Sequence, residues 1–288
     1  MLAVAAALGA AGAAAAPGIP AAPADGAVVD TRRPEFRWAV ERAEADTVGW
    51  ELRVVDLGAV AVVMDPAARS AVPAADLPDD RVLTWFVRRL RSGGRREDTR
   101  GRDRPRLTVA TVPAPPVITE GPAGPTAATS PSFSWTGDRA ASRWTLVSGG
   151  ATVASGESPT GGGSGAAGPL PDGDYALRIA QVNLAGVAGP PAERAFAVDT
   201  RPPAAPVFAA APSFAAGPGA PVLSWTGEPG ARSEWRVLAS GGRLVLGPAQ
   251  TEATSAAPGP LEAGSYLFEV RQIDAAGNAG AWASAPFA

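Results

Sequence analysis

The 288-residue sequence contains no cysteine, no histidine and no lysine. Without cysteine the chain can form no disulfide, no thiolate metal site and no lipid anchor on an N-terminal cysteine. Without histidine it lacks the commonest general base and the commonest ligand of transition metals. We therefore expect neither a cofactor nor a metal site, and the residues give little support to an enzyme.

The net charge is small, and the sequence has few long apolar runs. The formal charge of −3 predicts no general attraction to nucleic acid or to an anionic membrane. One apolar run, residues 1–16, is too short to span a bilayer and precedes proline-rich sequence, so we interpret it as a signal peptide ending near residues 13–15. No positive charge precedes the run, which leaves a late start of the sequence or a cytoplasmic alanine-rich tail as alternatives. Nothing later is long and apolar enough for a transmembrane segment, and we expect a secreted or cell-surface protein.

Glycine and proline are abundant, with 34 and 30 residues, and apolar residues make up 46% of the chain. This composition supplies enough apolar side chains for packed cores, and it favours many short strands joined by turns over long helices. The length exceeds one ordinary domain and is typical of two or three.

An internal repeat is the strongest pattern in the sequence. Residues 131–137 read Pro-Ser-Phe-Ser-Trp-Thr-Gly, and residues 221–227, 90 positions later, read Pro-Val-Leu-Ser-Trp-Thr-Gly. Further along each copy, residues 170–175 match residues 261–266, and both segments begin with leucine and end with tyrosine. Two copies of one module are therefore present.

A third and more diverged copy lies upstream. Residues 34–38 match the first element of the repeat, residues 50–54 match the second, and residues 87–94 match residues 270–277. The chain is accordingly divided into a lead and three modules. The predicted bounds are 1–23 for the signal peptide and Pro/Ala-rich lead, 24–112 for the diverged module, 113–203 for the second and 204–288 for the third.

Each copy alternates apolar and other residues with a period of two. Such alternation predicts strands that bury one face, and turn signals about every ten residues indicate β-sandwiches. Trp38, Trp135 and Trp225 fall on the apolar faces, so we expect them in the cores. Proline-rich linkers at 112–117 and 198–206 favour a stiff connection. We expect an all-β monomer of three tandem sandwiches in an elongated row.

With these residues in view, the module resembles the fibronectin type III and bacterial immunoglobulin-like repeats of secreted, actinobacterial-type proteins. A tryptophan in the second strand and an aromatic residue opening the third are marks of that pattern. Tyr175 and Tyr266, each five residues after a leucine, look like the tyrosine corner, in which the hydroxyl bonds back to the chain. The first copy departs from the pattern, because Leu83 stands where the tyrosine is expected. The resemblance implies a fold and leaves the function open.

An arginine-rich segment, residues 88–106, is the first candidate binding site. It holds nine arginines against Glu97, Asp98 and Asp103, and it should form the loop between the last two strands of the first module. One interpretation is a site for an anionic partner, such as a cell-wall polymer or an acidic polysaccharide. The other is a solvated loop whose arginines pair with its own acids. The residues carrying the first interpretation are Arg95, Arg96, Arg100 and Arg102.

Trp282 is the second candidate, because it is the one tryptophan without a core-facing equivalent in the other copies. An exposed tryptophan can act as a platform for a carbohydrate, and packing is the alternative. Asp274 and Asn278 offer oxygen atoms, but two ligands are too few for calcium, and turn formation explains them better.

The sequence therefore predicts a non-enzymatic extracellular array with a structural, adhesive or binding role. A wall-polymer- or carbohydrate-binding protein is one alternative. The other is an accessory part of a larger surface protein or exoenzyme, in line with a chain that stops within its last predicted strand.

Overall fold

A computed structural model describes residues 19–40, 44–98, 104–209 and 222–288. Within these ranges the chain is built of β-strands, and the one helical element is a 3₁₀ turn at Ser92–Gly94. The strands form six sheets, which enclose three separate apolar cores. No helix in the described part of the chain is long and apolar enough to cross a membrane. The prediction of an all-β chain of tandem sandwiches is confirmed.

The described part of the first sandwich contains nine strands: β1 (Ile19–Ala22), β2 (Ala27–Val29), β3 (Phe36–Ala39), β4 (Thr47–Val54), β5 (Gly58–Val63), β6 (Ser70–Ala71), β7 (Arg81–Arg91), β8 (Arg96–Asp98) and β9 (Arg106–Val109). A small sheet, β1–β3–β6, packs on a larger sheet, β2–β9–β7–β4–β5, and β8 pairs with the end of β7. β1 lies within the predicted lead, residues 1–23, yet it pairs with β3. The first sandwich therefore begins before residue 24, while the predicted signal peptide lies outside the described residues.

The second sandwich contains β10 (Val117–Glu120), β11 (Pro125–Thr126), β12 (Ser132–Thr136), β13 (Ala141–Ser148), β14 (Ala151–Ser158), β15 (Gly163–Ala166), β16 (Gly173–Val182) and β17 (Ala192–Val198). Its sheets have the orders β10–β12–β15 and β11–β17–β16–β13–β14. The third contains β18 (Val207–Phe208), β19 (Leu223–Thr226), β20 (Arg232–Ala239), β21 (Leu244–Thr251), β22 (Ser255–Ala256), β23 (Tyr266–Ile273) and β24 (Ala283–Phe287). Its sheets have the orders β18–β19–β22 and β21–β20–β23–β24.

The period-two alternation places one apolar face of each sheet in a core. Trp38, Trp135 and Trp225 lie in the three cores with 2–3% of their surface exposed. Trp85 fills the first core at the position of Leu177 in the second, and its ring meets that of Phe36 edge-on at 4.8 Å. The core therefore keeps its position in each sandwich while its side chains change.

The tyrosines also occupy equivalent positions. The hydroxyl of Tyr175 donates a hydrogen bond of 2.7 Å to the carbonyl oxygen of Pro171, and that of Tyr266 donates one of 2.8 Å to Glu262. Tyr175 is buried, whereas Tyr266 is half-buried. Both bonds reach back four residues, which is the geometry of a tyrosine corner.

A second contact, repeated in the second and third sandwiches, joins the core tryptophan to a serine. The indole Nε1 of Trp135 donates to Oγ of Ser142 at 2.9 Å, and that of Trp225 donates to Ser233 at the same distance. Val48 takes the place of this serine in the first sandwich, and Nε1 of Trp38 has no partner among the described residues. An unpaired buried donor is unfavourable, so the first sandwich lacks a stabilising contact that the other two share.

Candidate functional site

The joint between the first and second sandwiches begins at Asp79, in the loop between β6 and β7. The Asp79 carboxylate accepts a hydrogen bond of 3.0 Å from the backbone N–H of Thr111 and a second, short one from the Thr111 hydroxyl. Nη1 of Arg139, in the second sandwich, lies 2.7 Å from the same carboxylate. One side chain thus holds the chain that leaves the first sandwich and a loop of the next.

The same clamp is repeated where the chain leaves the second sandwich. Asp172 accepts hydrogen bonds from the backbone N–H of Thr200 at 3.0 Å and from its hydroxyl at 2.8 Å. At the start of each linker, an aspartate in the loop after the small sheet therefore pairs with a threonine that follows the last strand.

The environment of Asp79 keeps it ionised. Burial by itself raises the pKa of this carboxyl, but the hydrogen bonds from Thr111 and the neighbouring Arg139 outweigh it and hold the pKa well below the ordinary value. Because the folded pKa is depressed, the contribution to stability is present at every pH above the unfolded value of about 4. It is lost only as the pH falls from there through the folded pKa.

Asp80 makes the second set of contacts across this joint. Its carboxylate accepts hydrogen bonds from the backbone N–H groups of Ala140 at 2.8 Å and Leu184 at 2.6 Å, which lie in two different loops of the second sandwich. Asp80 has a φ of +55°, and no other non-glycine residue in the described ranges has a positive φ. Aspartate tolerates this conformation better than most residues, and strained backbone of this kind is found where it serves a contact.

The second sandwich receives the incoming linker on Gln181 and two glycines. The Gln181 carbonyl oxygen accepts hydrogen bonds of 2.8 and 3.0 Å from the backbone at 138 and 139, and its Nε2 donates 2.9 Å to the linker carbonyl of Ala114. A Cβ on Gly137 would lie 2.4 Å from the Gln181 side chain, and one on Gly189 would lie 2.2 Å from the carbonyl oxygen of Pro113. Both positions require glycine because the linker and Gln181 approach so closely.

The third sandwich repeats this receiving site. The side chain of Gln272 accepts a hydrogen bond of 2.9 Å from the backbone N–H of Glu228. A Cβ on Gly227 would lie 2.0 Å from Nε2 of Gln272, and one on Gly280 would lie 2.4 Å from the carbonyl oxygen of Pro203. Two modules thus share one glutamine and two glycines at the end that receives a linker.

Asp274 and Asn278 also belong to the joint between the second and third sandwiches. Asn278 donates its backbone N–H to Asp274 at 2.8 Å, which closes the turn, and its side-chain Nδ2 donates 2.8 Å to the carbonyl oxygen of Asp199. Among the residues that the structure describes, no three side chains of a metal-ligating type lie together at a possible metal site.

The first sandwich has different residues at the three receiving positions. Val40 stands where the others have the first glycine, Arg89 replaces the glutamine, and Glu97 replaces the second glycine. The Arg89 side chain is 1% exposed, its Nη1 lies 2.8 Å from a carboxylate oxygen of Glu44, and its guanidinium lies 5.6 Å from the ring centre of Trp50. This end of the first sandwich is therefore built around a buried cation.

Arg91 completes the cluster. Its guanidinium lies 2.6 Å from Asp46, 2.5 Å from Glu44 and 2.5 Å from Glu97. The ion pair with Arg89 lowers the pKa of Glu44, and the hydrogen bond from Arg91 lowers the pKa of Asp46. The two arginines hold the loop before β4 against the hairpin of β7 and β8.

The arginine-rich segment is mainly a hairpin, which corrects the expectation of a loop. β7 extends through Arg91, and β8 pairs back on it. Nε of Arg88 lies 2.5 Å from Asp98, Arg106 lies 3.9 Å from Asp25, and Arg104 stacks over the ring of Phe86 at 4.5 Å. Most of the described arginines of the segment therefore have partners inside the first sandwich.

Arg95 and Arg96 differ from these neighbours. Both are exposed, and neither forms an ion pair within the described ranges. Arg100 and Arg102, which the sequence groups with them, lie outside the described residues. Arg95 and Arg96 border a cavity of about 390 Å³, and its other side chains are Val48, Met64, Leu90, Arg91 and Ser92.

Trp282 lies directly before β24, and its ring packs against the large sheet of the third sandwich. The guanidinium groups of Arg236 and Arg271 lie 4.3 and 4.6 Å from its ring centre, and each arginine also pairs with a glutamate of the same sheet. The half-buried ring thus stacks on arginines that belong to a ladder of ion pairs on this sheet.

The strand order identifies the fold of all three units. In each, a sheet of the first, second and fifth main strands faces a sheet in which the fourth main strand lies at an edge beside the third. Each sandwich has the fold of a fibronectin type III module. In the first and second modules an additional short strand, β2 or β11, pairs in parallel with the last strand.

Two solved structures are similar to this chain. One is the chicken CNTN1 FN1–FN3 domains, with a TM-score of 0.39 and 11% identity over 94% of this chain and 98% of that one. The other is the fibronectin(III)-like modules of Clostridium thermocellum CbhA, with a TM-score of 0.27 and 14% identity over 63% of this chain and 94% of that one. No family model and no curated protein matches the sequence. The strand order, and not these likenesses, assigns the fold.

Proposed function

We propose that this protein is a non-enzymatic, secreted or cell-surface array whose three modules act as a spacer with a set geometry. The observation that carries the proposal is the repeated joint. An aspartate clamps the outgoing threonine at both linkers, and a glutamine with two glycines receives the linker at the next module. In a longer surface protein or exoenzyme the array would have the same role.

The joints support a spacer because they involve backbone groups from both partners. At the first joint, Asp80 binds two loops of the second module, and Asn183 donates 2.9 Å back to the carbonyl oxygen of Thr111. Contacts of this kind form only when the two modules have one particular orientation relative to each other. Domains joined without them are expected to move relative to one another.

Spin-label distances test the spacer directly, because a chain without cysteine accepts labels at chosen sites alone. Val28→Cys and Val153→Cys, both on exposed strand positions, report on the first joint. We expect a narrow distance distribution that broadens when Asp79→Ala and Asp80→Ala remove the clamp and both loop contacts. Double electron–electron resonance measures it.

A second label pair serves as the control. Val153→Cys and Leu244→Cys span the second joint, which the two aspartate substitutions do not touch, so their distribution should stay the same. A broad distribution across the first joint in the unsubstituted chain, or no broadening after the substitutions, would contradict the spacer.

A second function, binding of an anionic partner at the first module, is favoured by Arg95 and Arg96. These side chains carry charge to the surface without a partner in the described part of the chain. Retention of the full chain on immobilised polyglutamate is expected to weaken about tenfold between roughly 50 and 200 mM salt, because counterions compete with exposed charges.

The location of this binding is tested by substitution. R95Q/R96Q should remove most of the retention at low salt. R232Q/R243Q changes the charge equally at two exposed arginines of the third module and should leave retention intact. Equal losses in both variants would show non-specific attraction and exclude the site.

A further inference from the structure

The cavity beside Arg95 and Arg96 has an apolar floor on a sheet face that alternation predicts to be polar. Along β7, Val87 and Arg89 are buried on the inner face, so Leu90, one residue after Arg89, faces outward. Leu90, Val48 and Met64 line the cavity together, and Met64 is 68% exposed. Exposed apolar side chains grouped in a concave site mark a binding surface more often than scattered ones do.

The turn of the hairpin forms one wall and leaves the cavity open. Gly93 and Gly94 have φ values of +78° and +80°, and a Cβ on either would meet no atom within 4 Å. The two glycines therefore permit the chain reversal, and the space beside them is free.

The rim of the cavity is held in place before any ligand arrives. Arg88 pairs with Asp98 across the hairpin, and Arg91 pairs with Glu97 and with Asp46 of the preceding loop. A rigid rim lowers the ordering cost of binding. Since these carboxylates are already engaged, they do not neutralise Arg95 and Arg96.

We infer that the cavity binds a partner polypeptide that inserts one apolar side chain between flanking acidic residues. The inference rests on the second function proposed above and specifies its ligand. The volume of about 390 Å³ suits a side chain of the size of leucine or phenylalanine and its backbone. A polysaccharide or a simple polyanion would engage the rim alone and would leave Val48, Met64 and Leu90 in water. The combination of apolar floor and basic rim therefore favours an acidic peptide.

Two fluorescein-labelled peptides test this with the full chain at low salt. One carries a single leucine between two aspartates on each side, and the other has serine in place of the leucine. Burying the leucine should make the first peptide bind about tenfold more tightly in fluorescence anisotropy. M64S should remove most of that difference, and because Met64 is largely exposed it should leave folding unchanged. R95Q/R96Q should weaken both peptides, and R232Q/R243Q neither.

The outcomes separate this inference from the function on which it rests. Equal binding of both peptides, with loss in R95Q/R96Q, would overturn the inference and keep an anionic partner at the rim. Binding of polyglutamate as tight as that of the leucine peptide would also overturn it. No binding of either peptide or of polyglutamate would reject both the inference and the second function.

Discussion

Replacing Trp225 with alanine should lower the free energy of unfolding of the third module by about 3–5 kcal/mol. The side chain is 2% exposed, its ring lies 5.9 Å from that of Phe268, and its indole nitrogen bonds to Ser233. Its loss leaves a cavity in a small core and an unpaired hydroxyl. Hydrogen exchange read by mass spectrometry measures the change within the third module of the full chain.

Trp282→Ala is the matched control, because it removes the same side chain from the surface of the same module. Its ring stacks on Arg236 and Arg271, so the loss should be about 0.5–2 kcal/mol. If the amides of the third module are as well protected from exchange in the Trp225→Ala variant as in the Trp282→Ala variant, the assignment of Trp225 to the core is wrong.

The second large effect is expected from Gly227→Ala. The new Cβ would lie 2.0 Å from Nε2 of Gln272, whose side chain is buried and holds the backbone N–H of Glu228. Overpacking of this kind costs about 1–3 kcal/mol, and displacement of Gln272 adds a lost hydrogen bond. The same exchange measurement on the third module detects the change.

A double-mutant cycle identifies the cause. In a Gln272→Ala background the steric conflict is gone, so Gly227→Ala should cost much less there than in the unsubstituted chain. Gly124→Ala, at a site where a Cβ would meet nothing within 4 Å, should have little effect. If the losses in stability from Gly227→Ala and Gln272→Ala are additive, contact with Gln272 is not the reason for glycine at residue 227.

The repeat in the sequence was sufficient to predict the sandwiches, because strand alternation is a local pattern. Trp135 and Trp225 are two residues from apolar neighbours, and spacing alone assigns them to a buried face. The glycine that ends each Ser-Trp-Thr-Gly motif is different. Glycine is required there because the side chain of Gln181 or Gln272 approaches it closely. Each glutamine lies about 45 residues after its glycine, so no local spacing connects the two positions.

The prediction of the candidate binding site was limited in the same way, because it used only nearby residues. Residues 88–106 suggested a binding loop because nine arginines faced three acids in that stretch. The structure brings Glu44 and Asp46 against Arg89 and Arg91 from more than forty residues upstream. A count of charges within the segment cannot include such partners. Arg95 and Arg96 stand out only after these pairs are known.

The joint also has a signal in the sequence, apart from the repeated core residues. Leu-Pro-Asp occurs at residues 77–79 and 170–172, and a valine and a threonine two positions apart occur at 109–111 and 198–200. Each pattern by itself is typical of a turn or a strand end. Their joint recurrence in two copies indicates that the aspartate and the threonine work as a pair.

The three receiving positions also determine which modules can be exchanged. A module with glycine, glutamine and glycine, as at 137, 181 and 189, can follow another module and accept its linker. Duplication of the second module would therefore lengthen the array and reproduce a working joint, because this module has both the receiving residues and the outgoing pair of Asp172 and Thr200. The first module could not be moved to an internal place with the same joint, because Val40, Arg89 and Glu97 occupy the space that the linker needs. The array can thus grow by copying its second module, while the module that carries the arginine hairpin cannot accept a linker in the same way.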